Sequence, residues 1–324
     1  MGKIDLLAHK FFEICPQSFA ELFNKLLFHE EVIDYRKMQS LDSKYVTKYL
    51  KEHNGFFRDE IRFAEFKTAG AYHCILLGIE SYSYIDYKAP IKAMIYDGLS
   101  YERQLNEIYA HATEQRPPSG DEYLSKFPKG GYLVPVFTLV LNLKPKKWDG
   151  PKSLKEMIQP DLVKRFGKYL NDYRINLIEA SEIDDEVLNY FSNDTRGLLG
   201  YIKYSDDDKK LDQFIHSVPE KTRLEPITAE LINATTNANI DQESCRTEDG
   251  GVDMCKAFDN LQTRAEKAEA LVMEERAEKL AERAEKLAER AEKNRLREIL
   301  KENGWSDEEI SDGHKKSNSS GLVF

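Results

Sequence analysis

Residues 276–293 repeat a seven-residue unit: Arg276-Ala-Glu-Lys-Leu-Ala-Glu, again from Arg283, and a third, shorter copy Arg290-Ala-Glu-Lys. These residue types have high helix propensity, and a period of seven matches two helical turns, so this segment has little choice but to be a helix. With Ala277, Ala284 and Ala291 at position a, Met273, Leu280 and Leu287 fall at d. Glu275/Lys279, Glu282/Lys286 and Glu289/Lys293 are i,i+4 pairs, each contributing about 0.2–0.5 kcal/mol. The helix is expected over residues 257–303. About three heptads with an Ala/Leu seam is the least a coiled coil uses. Two readings stay open, a homo-oligomer through this helix and a single solvated helix. Residues 304–324 are expected to be a flexible tail.

A solvated helix buries no core of its own, so the rest of the 324 residues must supply one. It has the means, with 17 Tyr and 16 Phe in a chain that is 41% hydrophobic, which excludes disorder throughout. The longest nearly apolar run, residues 132–143, is far short of the ~20 residues a membrane-spanning helix needs. No apolar leader follows Met1-Gly2-Lys3-Ile4-Asp5, so no secretion signal is expected. Cys15, Cys74, Cys245 and Cys255 are scattered, with no C-x-x-C pair, which argues against a zinc ribbon or a disulfide framework. A cytoplasmic protein with no membrane partner is the expectation. The net charge is −10, but residues 1–180 carry 26 basic against 24 acidic side chains and residues 181–324 carry 21 against 33. The acidity belongs to the C-terminal half and says nothing against a polyanionic substrate for the N-terminal half.

The first half alternates helix and strand signals. Residues 18–28 place Phe19, Leu22, Phe23, Leu26 and Leu27 at helical spacing, with Pro16 and Ser18 near the start. Residues 56–66 and 72–79 read as strands about a turn at residues 67–71, where Gly70 supplies conformational freedom. Residues 90–109 read as a helix opened by Pro90, residues 133–143 as a buried strand and residues 162–179 as a further helix. Beyond residue 180 the pattern is helical and acidic, with a polar loop over residues 233–251.

The two strands and their turn carry a chemical implication. If they form a hairpin folded about Ala69 and Gly70, antiparallel partners have numbers summing to 139. Asp59 and Glu80 would then lie opposite one another on one face, about 5 Å apart at Cβ, with Tyr82 on the same face. Two carboxylates so close repel unless a cation neutralises them, and all-oxygen ligands suit Mg²⁺ or Mn²⁺. Such an ion activates water for phosphodiester hydrolysis. The plainer reading is two solvated carboxylates, each paired with a base such as Arg58 or Arg62. There is no P-loop, G-x-G-x-x-G or G-x-S-x-G, and none of the seven histidines pairs at metal-ligand spacing. Trp148, at a turn, reads as a packing anchor before a base-stacking platform.

Several stretches together resemble the recombination-promoting nuclease family (YhgA-like, also labelled transposases), in the form common in Gram-positive gut bacteria. They are Phe19-Ala-Glu-Leu-Phe-Asn24, Arg58-Asp59, Gly78-Ile-Glu80, Ile85-Asp-Tyr87, Tyr96-Asp97 with Tyr101 and Gln104, Trp148-Asp-Gly-Pro-Lys-Ser-Leu154, Asn171-Asp-Tyr173 with Asn176-Leu177, and Val252-Asp-Met-Cys255. The family's nuclease domain belongs to the PD-(D/E)XK superfamily. The resemblance implies an α/β fold with a restriction-endonuclease-like α-β-β-β-α-β core, placed over residues 1–180; the sequence pattern adds a helical accessory region over 181–256 and then the long helix. It implies a metal-dependent DNA endonuclease linked to recombination or mobile elements, with DNA as partner and Mg²⁺ or Mn²⁺ as cofactor. It places Asp59 and Glu80 as metal ligands and catalytic residues, with Glu21 completing the metal site. The family's E-x-Q becomes Glu80-Ser81-Tyr82 here, so Tyr82 stands where Gln or the superfamily's catalytic Lys orients the attacking water. A phenol donates a hydrogen bond but carries no positive charge. Lys88 or Lys92 could supply that charge from a shifted position. The alternative is a catalytically degenerate scaffold that binds DNA or protein and assembles through its C-terminal helix.

Overall fold

In a computed structural model, the chain describes residues 3–40, 60–68, 71–115, 118–236, 238–308 and 310. The architecture is mixed α/β. Helices α1 (Lys3–Ile14) and α2 (Pro16–Glu21) come first, α2 with proline in its first turn, where the missing N–H costs nothing. The chain continues from α2 as a π-helix, Leu22–Phe28, that ends on left-handed His29. The sequence pattern for residues 18–28 is thus helical as expected, with its second half wound wider. Asn24, buried in the π-helix, donates to the Ile33 carbonyl and accepts from the Val32 and Ile33 N–H groups, pinning the segment that follows.

Five strands form one sheet in the order β1-β2-β3-β4-β5: β1 Gln39–Ser40, β2 Glu60–Thr68, β3 Ala71–Tyr82, β4 Val136–Asn142 and β5 Asn176–Glu179. Strand β2 is antiparallel to both neighbours, while β3, β4 and β5 are parallel. Helix α3 (Ala89–Gln115) makes the crossover from β3 to β4, followed by the short α4 (Gly120–Ser125), which begins with a capping box of Ser119 and Glu122. The β2–β3 register runs from Glu60↔Ile79 to Thr68↔Ala71, every pair summing to 139 as the sequence predicts.

Period-two alternation divides the sheet's faces. Ile75, Leu77, Ile79, Leu139, Leu141 and Ile178 join a core with Phe11, Phe12, Phe19 and Phe23 of the N-terminal helices. Tyr82 and Val140 face the other way and pack with Ala89 and Ala93 of α3. Arg62 of β2 is buried on the first face, donating to the Phe12 carbonyl at 2.8 Å and lying over the Phe19 ring.

The expected helix over residues 162–179 needs correction. Helix α5 spans only Pro160–Phe166, and Asn176–Glu179 is β5. Asn171 and Asp172 break the helical run: Asp172 accepts from the Lys155 N–H and ion-pairs with Arg174. Pairing with the buried β4 then decides the conformation of the next four residues, over their own weak preference.

After β5 come α6 (Asp185–Asn189), α7 (Asn193–Tyr204), α8 (Asp208–His216), a two-residue strand β6 (Arg223–Leu224), α9 (Pro226–Thr235) and β7 (Val252–Asp253), which pairs with β6. These elements share the core of the N-terminal helices, and α1 packs against α9. Met1–Leu261 is one compact unit, so the regions expected over 1–180 and 181–256 lie within it. The second unit, Gln262–Phe324, holds most of α10 (Met254–Glu302), the 49-residue helix announced by the heptads. Among the described residues no helix is long and apolar enough to cross a membrane.

Candidate functional site

Glu80 and Tyr82 lie near the C-terminal end of β3 on the face that α3 covers, and both side chains are almost fully buried. In register, Glu80 sits beside Val140, and Tyr82 beside Asn142, which in turn sits beside Glu179 of β5. Three parallel strands thus end together in the row Tyr82, Asn142, Glu179. The carboxyl ends of parallel strands are where open α/β sheets place their ligands.

Local sequence explains how the surroundings of Tyr82 are assembled. Asp86 accepts from the Lys88 N–H at 2.9 Å and so fixes the start of α3. One turn into that helix, Lys92 ion-pairs with Asp86 at 3.3 Å and holds its Nζ 4.7 Å from the centre of the Tyr82 ring. The ammonium is therefore held between a carboxylate and a π-face, which fixes its position. Lys88 is exposed. Of the two lysines named from sequence, Lys92 is the one that reaches Tyr82.

Trp148 closes the other side. Its ring lies 6.1 Å from that of Tyr82, its side chain is buried, and its backbone N–H donates to Glu179 at 2.5 Å. Glu179 also accepts from Lys152 at 3.3 Å. Neighbouring Asp149 accepts from Tyr87 and Lys146. The Trp-Asp-Gly-Pro stretch is thus a strap across the strand ends, and Trp148 is a packing anchor. Glu179 was missed from sequence because residues 162–179 read as a helix; the signal that would have found it is the apolar pair Leu177-Ile178 following Asn171-Asp172.

The other stretches that carried the resemblance hold α3 on the sheet. Asp97 accepts from Thr138 of β4 at 2.5 Å and from the Tyr173 hydroxyl. Gln104 clasps Val134, donating to its carbonyl at 3.0 Å and accepting its N–H at 2.7 Å, and the Tyr101 hydroxyl accepts the Val136 N–H. These contacts bind the backbone just before β4 and at its first residue, and so set the height of Val140 and Asn142 beside Glu80 and Tyr82.

No family model, curated protein or solved structure matches this chain. What the site does must be argued from its own residues.

Glu21 is elsewhere engaged. Its carboxylate accepts from the Ser192 N–H at 2.9 Å, the Ser192 hydroxyl at 2.8 Å, the Thr195 hydroxyl at 2.7 Å and Gln17 at 3.0 Å. Ser192 is the N-cap of α7, so Glu21 ties α2 to the positive end of that helix. These donors occupy essentially all of a carboxylate's acceptor sites. Asp59 lies outside the described residues. Among the described residues no group of three or more His, Cys, Asp or Glu side chains is placed to hold a metal ion. Glu80 is one of several buried carboxylates near the strand ends and the start of α3, with Asp86, Asp97 and Glu179.

Proposed function

We propose that this protein is a metal-dependent DNA endonuclease with a restriction-endonuclease-like core, acting in recombination or on mobile elements. The observation that carries the reading is the hairpin register: pairs summing to 139 run to Glu60↔Ile79, and the reading requires only that Asp59 take the next place, opposite Glu80. The element order α-β-β-β-α-β and the sheet order, with β2 alone running against the others, support the same core.

In this reading Asp59 and Glu80 hold Mg²⁺ or Mn²⁺. When bound, the ion supplies an activated water and stabilises charge on the phosphate. The protein's own residues do the rest. Burial of Glu80 fixes its carboxylate in a dry, preorganised place. Lys92 provides the positive charge that Tyr82 lacks, with Asp86 and the Tyr82 ring setting its position. Tyr82 offers a phenol to orient water. Glu21 acts as a positioning residue, through the packing of α2 on α7.

Plasmid cleavage in Mg²⁺ and then Mn²⁺ tests this. Wild type should cut, Asp59→Ala should not, and Lys92→Ala should lose about 10²-fold or more, as expected when an electrostatic group is removed from a transition state. Cutting that survives Asp59→Ala would sink the proposal.

A second reading has one observation in its favour: Tyr82 is packed against Trp148 and under Lys92, as a structural residue would be. The chain would then be a degenerate nuclease-fold scaffold that binds DNA or protein and assembles through α10. An inert wild type that gains cleavage on Tyr82→Gln would select this reading.

A further inference from the structure

Every residue from 269 to 299 of α10 is exposed, including Met273, Leu280 and Leu287 at 73%, 66% and 65%. Because seven residues span two turns, each position of the repeat draws a stripe along the helix. Going round the axis, the stripes are Leu280/Leu287, then Ala277/Ala284, then Ala281/Ala288, then Glu278/Glu285, Glu282/Glu289, Lys279/Lys286 and Arg283/Arg290, which returns to leucine. The helix thus has an apolar seam with arginine along one flank and glutamate along the other. On the far side the remaining charges bind one another, Lys279 with Glu275 and Lys286 with Glu282, each at 2.5 Å.

We propose that this seam is the interface of a parallel, in-register dimer with a second copy of the chain. Charge complementarity selects both the occupant and the direction. In a parallel pair related by a two-fold axis along the helices, the arginine flank of each copy faces the glutamate flank of the other. In an antiparallel pair, arginine faces arginine and glutamate faces glutamate. Alanine at 281 and 288 leaves room for the arginine stem to lie across the seam's edge toward the partner's glutamates. The seam ends at Asn294, the next d position, where leucine is no longer present. This dimer stands or falls independently of the nuclease reading.

The test uses the full chain. Light scattering over a concentration series should give twice 37.5 kDa, falling toward 37.5 kDa on dilution. The double variant Leu280→Glu/Leu287→Glu should stay at the lower mass throughout, with helix content unchanged by circular dichroism. Direction is read by oxidative cross-linking of Leu280→Cys and Leu287→Cys, with wild type as the background for the four native cysteines. Both single variants should self-link in the parallel dimer. An antiparallel pair allows at most one of them to self-link and favours the mixed 280–287 product. Monomer mass at every concentration, a dimer indifferent to the glutamates, or a dominant mixed product would each overturn the proposal.

Discussion

Glu21 illustrates how a residue's chemistry depends on what its helix faces. An acidic side chain in a Phe-Ala-Glu pattern suits a metal site in the sequence, yet its oxygens take donors from Ser192 and Thr195, 171 and 174 residues away. Nothing local to residue 21 encodes partners so distant. Glu21→Ala should lower unfolding stability by about 2–4 kcal/mol in urea titration, since it strands an N–H and two hydroxyls that now meet a charged acceptor. If cleavage activity falls while stability is unchanged, Glu21 serves as a metal ligand. Asp249 makes a second prediction. The Thr247 hydroxyl and the Arg223 guanidinium hold its carboxyl down to about 2. A depressed folded pKa stabilises above the unfolded value of about 3.9 and is lost as pH falls toward 2. Arg223→Ala should move the Asp249 titration upward in an NMR series, and an unmoved titration would refute the coupling.

At the scale of elements, α7 is built for close approach. A Cβ on Gly200 would lie 1.9 Å from Phe214 of α8, and one on Gly197 would lie 2.6 Å from Leu224 of β6. In an open helix Gly→Ala gains about 1 kcal/mol. Here the overlap reverses the sign, and Gly200→Ala should destabilise by about 1–3 kcal/mol in chemical denaturation. A stabilised variant would show that Phe214 moves aside freely. The legibility of the elements follows the same logic. Strands β3 and β4 were visible because their own residues are β-branched, aromatic and alternating or wholly apolar. The long α10 was visible because its period is its structure. Strand β5 was hidden because four residues carry too little pattern and the decision is made by β4 beside them. Glu80 and Tyr82 could be placed on one face from sequence because alternation is local. The Lys92–Tyr82 contact could be named only as one of two possibilities, because it depends on how α3 lies on the sheet.

For the whole molecule, the core gathers side chains from Leu7 to Phe258, so residues 1–180 share it with the region that follows. A chain cut after Leu261 should unfold in one transition, with a denaturant midpoint close to that of the full protein. A chain cut after residue 180 should be insoluble or molten by near-ultraviolet circular dichroism; a cooperative fold for it would restore the boundary that the sequence suggested. The packing of α1 against α9 has a consequence during synthesis. At ~5–20 residues per second, a ribosome takes about 10–45 s to pass from α1 to the end of α9. For that interval α1 has α2 and the sheet to pack on but lacks α9, its most extensive neighbour. That face of α1 stays uncovered in the nascent chain, and the core closes only when residues up to Phe258 have arrived.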